Sequence, residues 1–210
     1  MTLVFVAKES RPGEHRVAAT PETVARMIKA GLKVQVAAGA GAGAFIPDSA
    51  FEAAGATLVA QTAGLGAADL VLCVATPSLQ DTRTLRKGAI VLAVLEGTRQ
   101  PEAARALADA GATVFAMELV PRTTKAQKMD VLSSQANIAG YKAVLIAAAA
   151  LPKYFPMLMT AAGTVRPARV VVFGVGVAGL QAIATAKRLG AIVEATDIRP
   201  ETKEQVESLG

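Results

Sequence analysis

Short apolar runs alternate along the chain with stretches whose apolar residues recur at helical spacing. Runs of β-branched and apolar residues bounded by glycine, proline or polar residues are typical of buried strands. In the first half of the chain this pattern predicts strands at residues 3–7, 33–37, 57–59, 70–75, 89–95 and 113–119. Strands that alternate with helical segments favour an α/β fold with a parallel sheet.

Several of the intervening helices carry start or stop signals. Thr20 offers a hydroxyl just before Pro21, and proline suits the first helical position because the N–H it lacks is not needed there. Gly31 is a typical helix stop, and Pro101 opens a later helix. We expect Asp48 to cap a short helix between them.

The second half of the chain begins with a polar loop at residues 120–130. An alanine-rich helix is predicted from about residue 134 to residue 150, followed by a connector that contains several prolines. We therefore predict an N-terminal α/β domain at 1–133, a connecting helix and proline-rich linker at 134–167, and a further unit at 168–210.

A glycine-rich turn follows the β-branched run at residues 170–173. Gly174, Gly176 and Gly179 have the G-x-G-x-x-G spacing, and apolar residues at helical spacing continue to Gly190. In dinucleotide-binding folds the first glycine makes the turn, the second admits the pyrophosphate, and the third lets helix and strand pack closely. The glycines alone would be weak evidence, but the strand, turn and helix together predict a dinucleotide site.

Asp197 ends the next predicted strand, residues 191–196, about twenty residues beyond the glycines. A carboxylate there accepts hydrogen bonds from both ribose hydroxyls and repels a 2′-phosphate, which favours NAD over NADP. Arg199 leaves this preference open, because its guanidinium could pair with a phosphate. The simpler interpretation is a glycine-rich turn in which Asp197 caps the following helix.

Only two strands of this nucleotide unit are predicted before Gly210, whereas a doubly wound domain needs about six. We therefore expect the unit to be truncated at Gly210 or completed by another chain. The predicted fold class is α/β, with a Rossmann-like parallel-sheet first domain and the start of a doubly wound NAD-binding domain.

Composition argues against other classes of protein. The chain has 210 residues, 52% of them hydrophobic, and its richest apolar run is far shorter than the roughly 20 residues that span a bilayer. The net charge of +5 is scattered and aromatic residues make up 4%, so no nucleic-acid partner is predicted. No spacing of His, Cys, Asp or Glu predicts a metal site.

The motifs resemble those of the alanine dehydrogenase and nicotinamide nucleotide transhydrogenase superfamily. The opening motif is AKESRPGEHRVA at residues 7–18. Later motifs closely resemble the NAD(H)-binding alpha subunits of proton-translocating transhydrogenases. They are MELVPR at 117–122, AQ at 126–127, MD at 129–130, LSSQA at 132–136, AGY at 139–141, MTAAGT at 159–164 and the glycine-rich segment at 174–190.

This resemblance implies a domain that binds NAD(H) and exchanges a hydride with NADP(H) held by a separate beta subunit. A membrane domain would couple that transfer to proton translocation. It further implies a homodimer, peripheral on the cytoplasmic face of the bacterial inner membrane, and a chain inactive by itself. Transfer between two nicotinamides needs ring alignment and exclusion of water rather than an acid or a base.

The resemblance also assigns a candidate site. A loop that closes around the nicotinamide in the family matches Arg122, Gln127 and Asp130, which we expect to be the catalytic residues. The cofactor-binding residues that it implies are Arg122, Thr123, Lys125, Gln127, Asp130, Leu132, Ser133, Gly174, Gly176, Val177, Gly179, Asp197, Ile198 and Arg199. Lys125 and Lys128 depart from the arginine and serine usual in the family, which keeps one charge, adds another and puts bidentate phosphate contact in doubt.

Two alternatives remain open. An alanine dehydrogenase-like amino-acid oxidoreductase is similar over the N-terminal half, but that chemistry needs a lysine and a histidine near the ends of the strands at 70–75 and 89–95. This chain has LCVA and AVLE there, and its only histidine, His15, lies in a polar loop. The other alternative is a non-catalytic binding or assembly fragment of the same fold.

Overall fold

The computed structural model describes residues 1–209, which form two compact units, Met1–Met129 and Asp130–Gly210. The division into three segments that we expected from the sequence stays a prediction. Among the described residues, every helix is too short or too polar to cross a bilayer.

The N-terminal unit is built on a parallel sheet. Its strands are β1 Leu3–Val6, β2 Lys33–Ala37, β3 Thr57–Val59, β4 Leu70–Ala75, β5 Ile90–Val94 and β6 Thr113–Ala116. Their spatial order is β3-β2-β1-β4-β5-β6, so the winding direction reverses between β1 and β4. The predicted α/β fold with a parallel sheet is confirmed.

Five α-helices and three 3-10 helices complete this unit. They are α1 Pro21–Lys29, α2 Asp48–Ala53, α3 Gln61–Ala67, α4 Leu79–Thr84 and α5 Pro101–Asp109, with 3-10 helices at Ala42–Ala44, Met117–Leu119 and Thr124–Met129. Thr20 caps α1 as predicted, because its hydroxyl accepts from the Thr23 N–H. Asp48 does not cap α2: Pro47 holds that position, and the Asp48 carboxylate instead accepts from the Gly39 N–H at 2.9 and 3.0 Å.

The core of the N-terminal unit lies on both faces of the central strands. Val4, Phe5 and Val6 of β1 are fully buried, as expected for a parallel strand covered by helices on both sides. Gly64 of α3 packs so closely on the Phe5 ring that an added Cβ would overlap it. This contact fixes α3 against the middle of the sheet.

The C-terminal unit contains α6 Val131–Ala150, β7 Leu158–Thr160, β8 Gly163–Val165, β9 Arg169–Phe173, α7 Val177–Arg188, β10 Ile192–Thr196 and α8 Thr202–Glu207. β9 and β10 pair in parallel, with Val170 opposite Val193, so the two strands predicted for the nucleotide unit are confirmed. Val170 and Val193 pack on the core shared with α6 and α7. The opposite face of the two strands exposes Val171, Phe173 and Ile192.

Three predicted boundaries were wrong. The strand expected at 113–119 ends at Ala116, where a 3-10 helix begins. The loop expected at 120–130 is largely a 3-10 helix, and the following helix starts at Val131 rather than residue 134 because Asp130 caps it. The expected connector also contains an antiparallel hairpin of β7 and β8. The expectation of a break at Gly210 lies outside the described residues.

Candidate functional site

The turn between β9 and α7 is held by its glycines for different physical reasons. Gly174 has φ +89°, a left-handed conformation that glycine adopts without steric cost, and its N–H donates to the Thr196 carbonyl at 2.8 Å. A Cβ on Gly179 would overlap the Gly174 carbonyl oxygen. The glycine at 179 therefore lets α7 start directly against the end of β9.

Gly176 leaves open space at the N-terminus of α7. It is the N-cap residue, no side-chain hydrogen bond caps the helix, and nothing lies within 4 Å of the position its Cβ would take. The first N–H groups of a helix lack intrahelical partners and attract anions. Val177, the first helical residue, is 42% exposed. The turn thus offers both the room and the donors that a pyrophosphate needs.

Asp197 follows β10 and points its carboxylate at this turn. Oδ2 accepts from the N–H of buried Val175 at 2.6 Å. Arg199 donates to Oδ1 from its backbone N–H at 2.9 Å and from Nε at 3.0 Å. The Arg199 guanidinium, followed by the Val175 N–H, holds the pKa of Asp197 well below its ordinary value, so the side chain is anionic at neutral pH. Ile198, between them, is fully exposed.

Asp197 does not act as a helix cap. The N-cap residue of α8 is Glu201, and no side chain makes a capping bond there. The carboxylate of Asp197 is used instead to join the end of β10 to the glycine turn.

Asp130 and Ser133 meet at the start of α6. Asp130 Oδ1 accepts from the Ser133 N–H at 2.9 Å, and the Ser133 hydroxyl donates to Oδ2 at 2.7 Å. This capping bond gives both side chains a structural role, because it satisfies an N–H that the helix leaves unpaired. Leu132 lies between them and is 37% exposed. Any contact of these residues with a cofactor stays a prediction.

The helix that begins at Asp130 packs directly on the helix that begins at the glycine turn. A Cβ on Gly140 would overlap the Ala178 carbonyl oxygen, and Asn137 Nδ2 donates to Gln181 Oε1 at 3.1 Å. Sequence reasoning missed these residues. The available signal was Gly140 itself, since a glycine inside a long helix usually has a packing reason.

The remaining candidates lie in the N-terminal unit. Arg122, Thr123, Lys125 and Gln127 are all exposed, on or just before the 3-10 helix whose buried Ala126 anchors it. Among residues 1–209, no hydrogen bond or ion pair holds the side chain of Arg122 or Gln127. These four residues thus present polar groups to solvent from an anchored segment.

The described residues contain no group of three or more His, Cys, Asp or Glu side chains placed to hold a metal ion. The chemistry that the turn supports is recognition of an anionic, ribose-containing ligand.

Two family profiles together match nearly the whole chain. The profile described as "Alanine dehydrogenase/PNT, N-terminal domain" matches residues 5–139, and "Alanine dehydrogenase/PNT, C-terminal domain" matches residues 143–210. An NAD(P) transhydrogenase alpha subunit from Rhodospirillum rubrum, the first of the polypeptides that make up that subunit, is 52% identical over 99% of this chain. That alignment covers 56% of the relative, so the chain spans about half the length of the curated relatives it matches.

Solved structures agree in fold. The crystal structure of a transhydrogenase from Sinorhizobium meliloti superposes with a TM-score of 0.97 at 55% identity and covers 99% of this chain and 62% of that one. An L-alanine dehydrogenase superposes with a TM-score of 0.87 at 27% identity, covering 99% of this chain and 58% of the other.

Proposed function

We propose that this chain, which belongs to the alanine dehydrogenase/PNT family, is an NAD(H)-binding component of a proton-translocating transhydrogenase. Its transhydrogenase relatives are more similar to it than the alanine dehydrogenases are, at 52% against 31 and 35% identity. Because the chain spans only a portion of those relatives, the complete reaction is assigned to an assembly.

The observation that carries the proposal is the fit of the glycine turn and Asp197 to a dinucleotide. The space beside Gly176 admits a pyrophosphate to the free N–H groups of α7. Asp197, already anionic and aimed at the same turn, accepts hydrogen bonds from the adenosine ribose. Its negative charge repels a 2′-phosphate, and its bonds to Arg199 occupy the guanidinium that could otherwise attract one. Both effects favour NAD(H) over NADP(H).

NAD(H), when bound, supplies the hydride at its nicotinamide ring. Arg122 and Gln127 bind the carboxamide and pyrophosphate region with their free polar groups, with Thr123 and Lys125 beside them. Asp130 and Ser133 fix the segment that follows. Together these residues orient the ring and exclude water, which is what hydride transfer between nicotinamides requires.

The partner in this proposal is a beta subunit that holds NADP(H), with a membrane domain that couples transfer to proton movement. The chain would act as a homodimer on the cytoplasmic face of the bacterial inner membrane. The amino-acid dehydrogenase alternative has less support. The end of β4 carries Ala75, the residues after β5 include Glu96, and His15 is exposed, so these positions supply no lysine or histidine for that chemistry.

The test is an NADH fluorescence titration of the chain, alone and with the remaining portion of the subunit supplied as a second polypeptide. We expect micromolar binding in at least the second case and a loss of tenfold or more in Gly176→Val. That substitution fills the open space without meeting any atom within 4 Å at Cβ. The matched control is Gly97→Val, a site whose nearest atom lies at 3.7 Å.

Binding that Gly176→Val leaves unchanged would contradict the placement of the pyrophosphate. Absence of NADH binding in both conditions would contradict the function itself and favour the assembly fragment.

A further inference from the structure

Two carboxylates are bound in the same way at the ends of neighbouring strands in the N-terminal unit. Beyond β4, Glu9 Oε1 accepts from the Val74 N–H at 2.6 Å and Oε2 accepts from the Ala75 N–H at 3.1 Å. Beyond β5, Glu118 accepts in the same bidentate manner from the next strand end, at 2.9 and 2.8 Å. Each strand end therefore presents two consecutive N–H groups to one carboxylate.

The Glu9 position is where ligands bind in sheets of this kind. In open α/β sheets, ligands enter the crevice outside the carboxyl ends of the strands, at the point where the strand order reverses. Here that point lies between β1 and β4. Glu9 comes from the segment just after β1 and reaches across to the last residues of β4.

No space for another ligand remains beside Glu9. The cavity lined by Ser10, Cys73, Thr76 and their neighbours has a volume of about 10 Å³, no more than one water molecule occupies. The segment that carries Glu9 is also fastened in place. The Lys8 N–H donates to Gln61 Oε1 at 3.0 Å, and Gln61 Nε2 donates to the Lys8 carbonyl at 3.2 Å.

The two N–H donors offset the cost of placing this charge in a partly buried position. Burial raises the pKa of Glu9, and the bonds from Val74 and Ala75 act in the opposite direction. The backbone at the end of β4 is thus a receptor for a carboxylate group, filled by a side chain of the same chain.

We propose that Glu9 is a built-in ligand of a carboxylate-binding site at the end of β4. When its carboxylate is removed, the site takes a small monocarboxylate such as formate or acetate. While Glu9 is present, the site is closed to free carboxylic acids. This site is separate from the NAD(H) turn and does not depend on the function proposed for that turn.

The experiment uses Glu9→Ala in the 210-residue chain, with sodium formate as the probe and sodium chloride at equal ionic strength as the salt control. Loss of two charge-assisted hydrogen bonds should lower the melting temperature by about 5 °C. We expect formate to restore most of that loss in Glu9→Ala and to leave the wild-type melting temperature unchanged.

Amide resonances locate the effect. In Glu9→Ala, formate should shift the Val74 and Ala75 amide signals saturably, with no comparable shift at Leu95 and Glu96, whose N–H groups stay bound to Glu118. The matched control is Glu22→Ala, because Glu22 is an exposed side chain of α1 that pairs only across the helix surface. It should show no formate response.

A Glu9→Ala chain that formate neither stabilises nor shifts at Val74 and Ala75 would overturn the proposal. If Glu9→Ala is recovered only unfolded, its refolding yield in formate against chloride replaces the melting temperature, and equal yields would overturn the proposal. Glu9→Gln gives a second check. It retains an acceptor oxygen and fills the site, so formate should have no effect on it, and a formate response equal to that of Glu9→Ala would contradict the assignment.

Discussion

The Asp197 carboxylate accepts a hydrogen bond from the Val175 N–H at 2.6 Å and so joins the end of β10 to the middle of the glycine turn. Val175 is buried, so its N–H has no water to replace this partner. The bond orients Asp197 before any ligand arrives, and the Arg199 guanidinium keeps the carboxyl group ionised. A side chain held in this way loses little conformational entropy when it binds a ribose.

Asp197→Ala should weaken NADH binding and reduce the discrimination against NADPH. Lost hydrogen bonds to a charged acceptor correspond to roughly 1.5–3 kcal/mol, or about ten- to a hundredfold in affinity. Parallel fluorescence titrations with NADH and NADPH measure both effects. Glu194→Ala on the same strand is the matched control, since Glu194 pairs with exposed Arg169 away from the turn. An unchanged ratio of the two affinities would show that Asp197 does not read the ribose.

Gly179→Ala should destabilise the C-terminal unit, because its methyl group has no room beside the Gly174 carbonyl. Overpacking against backbone costs about 1–3 kcal/mol and occasionally more. Urea unfolding followed by circular dichroism measures the loss. Gly176→Ala is the comparison variant, since its methyl group meets nothing within 4 Å and should cost less than about 1 kcal/mol. Equal stability of the two variants would contradict the packing role.

The sequence predicted those features that depend on local pattern. Strand positions such as β1 and β4 follow from apolar runs, and the cap at Thr20 follows from its place before Pro21. The parallel pairing of β9 and β10 followed from one strand-turn-helix-strand order. The family resemblance seen in the motifs is likewise confirmed by the family profiles.

Features that depend on contacts between distant residues could not be predicted. Asp48 looked like a helix cap, yet its carboxylate serves the Gly39 N–H. Glu9 and Glu118 bind backbone groups 65 and 23 residues away, and no local pattern marks such partners. Gly140 is explained only by the Ala178 backbone across the helix pair. The roles of Arg122 and Gln127 in cofactor binding stay predictions.

Glu14→Gln should reduce the loss of stability in acid. Two hydrogen bonds from the Arg16 guanidinium, at 2.7 and 2.6 Å, lower the pKa of Glu14 from 4.5 to about 2. Because the folded-state pKa is depressed, this stabilisation is complete above pH 4.5 and is lost as the pH falls towards 2. Since Arg16 is half exposed, we expect an effect of about 1 kcal/mol.

Urea unfolding between about pH 5 and pH 2 measures this contribution. The free energy of unfolding should fall less steeply with acid in Glu14→Gln than in the wild type, and Arg16→Gln should flatten the same interval. Parallel wild-type and variant curves would show that the pair does not stabilise the fold.

Cys73 should resist thiol reagents in the folded chain. Burial, reinforced by the negative charges of Glu9 and Asp81, raises the pKa of its thiol, and the thiolate is the reactive form. At about pH 8 we expect the native chain to react with a disulfide reagent at least about tenfold more slowly than the urea-unfolded chain. Because the sequence contains one cysteine, the absorbance of the released thiol reports this site alone. A Cys73→Ser, Thr62→Cys double variant provides an exposed thiol as the matched control, and equal rates in the two native proteins would contradict the assignment.

Gln127→Asn should slow hydride transfer more than it weakens NADH binding. Gln127 lies exposed on a short 3-10 helix anchored by buried Ala126, so a side chain one methylene shorter still presents an amide but at the wrong reach. Small errors in ring position reduce the transfer rate strongly, whereas binding depends on the whole dinucleotide. We expect a transfer rate lower by about tenfold or more and an NADH affinity within about threefold of the wild type. Stopped-flow measurement in the assembled transhydrogenase, with Glu102→Gln on the surface of α5 as control, separates the two quantities. An unchanged transfer rate would mean that the segment around Gln127 does not align the nicotinamide.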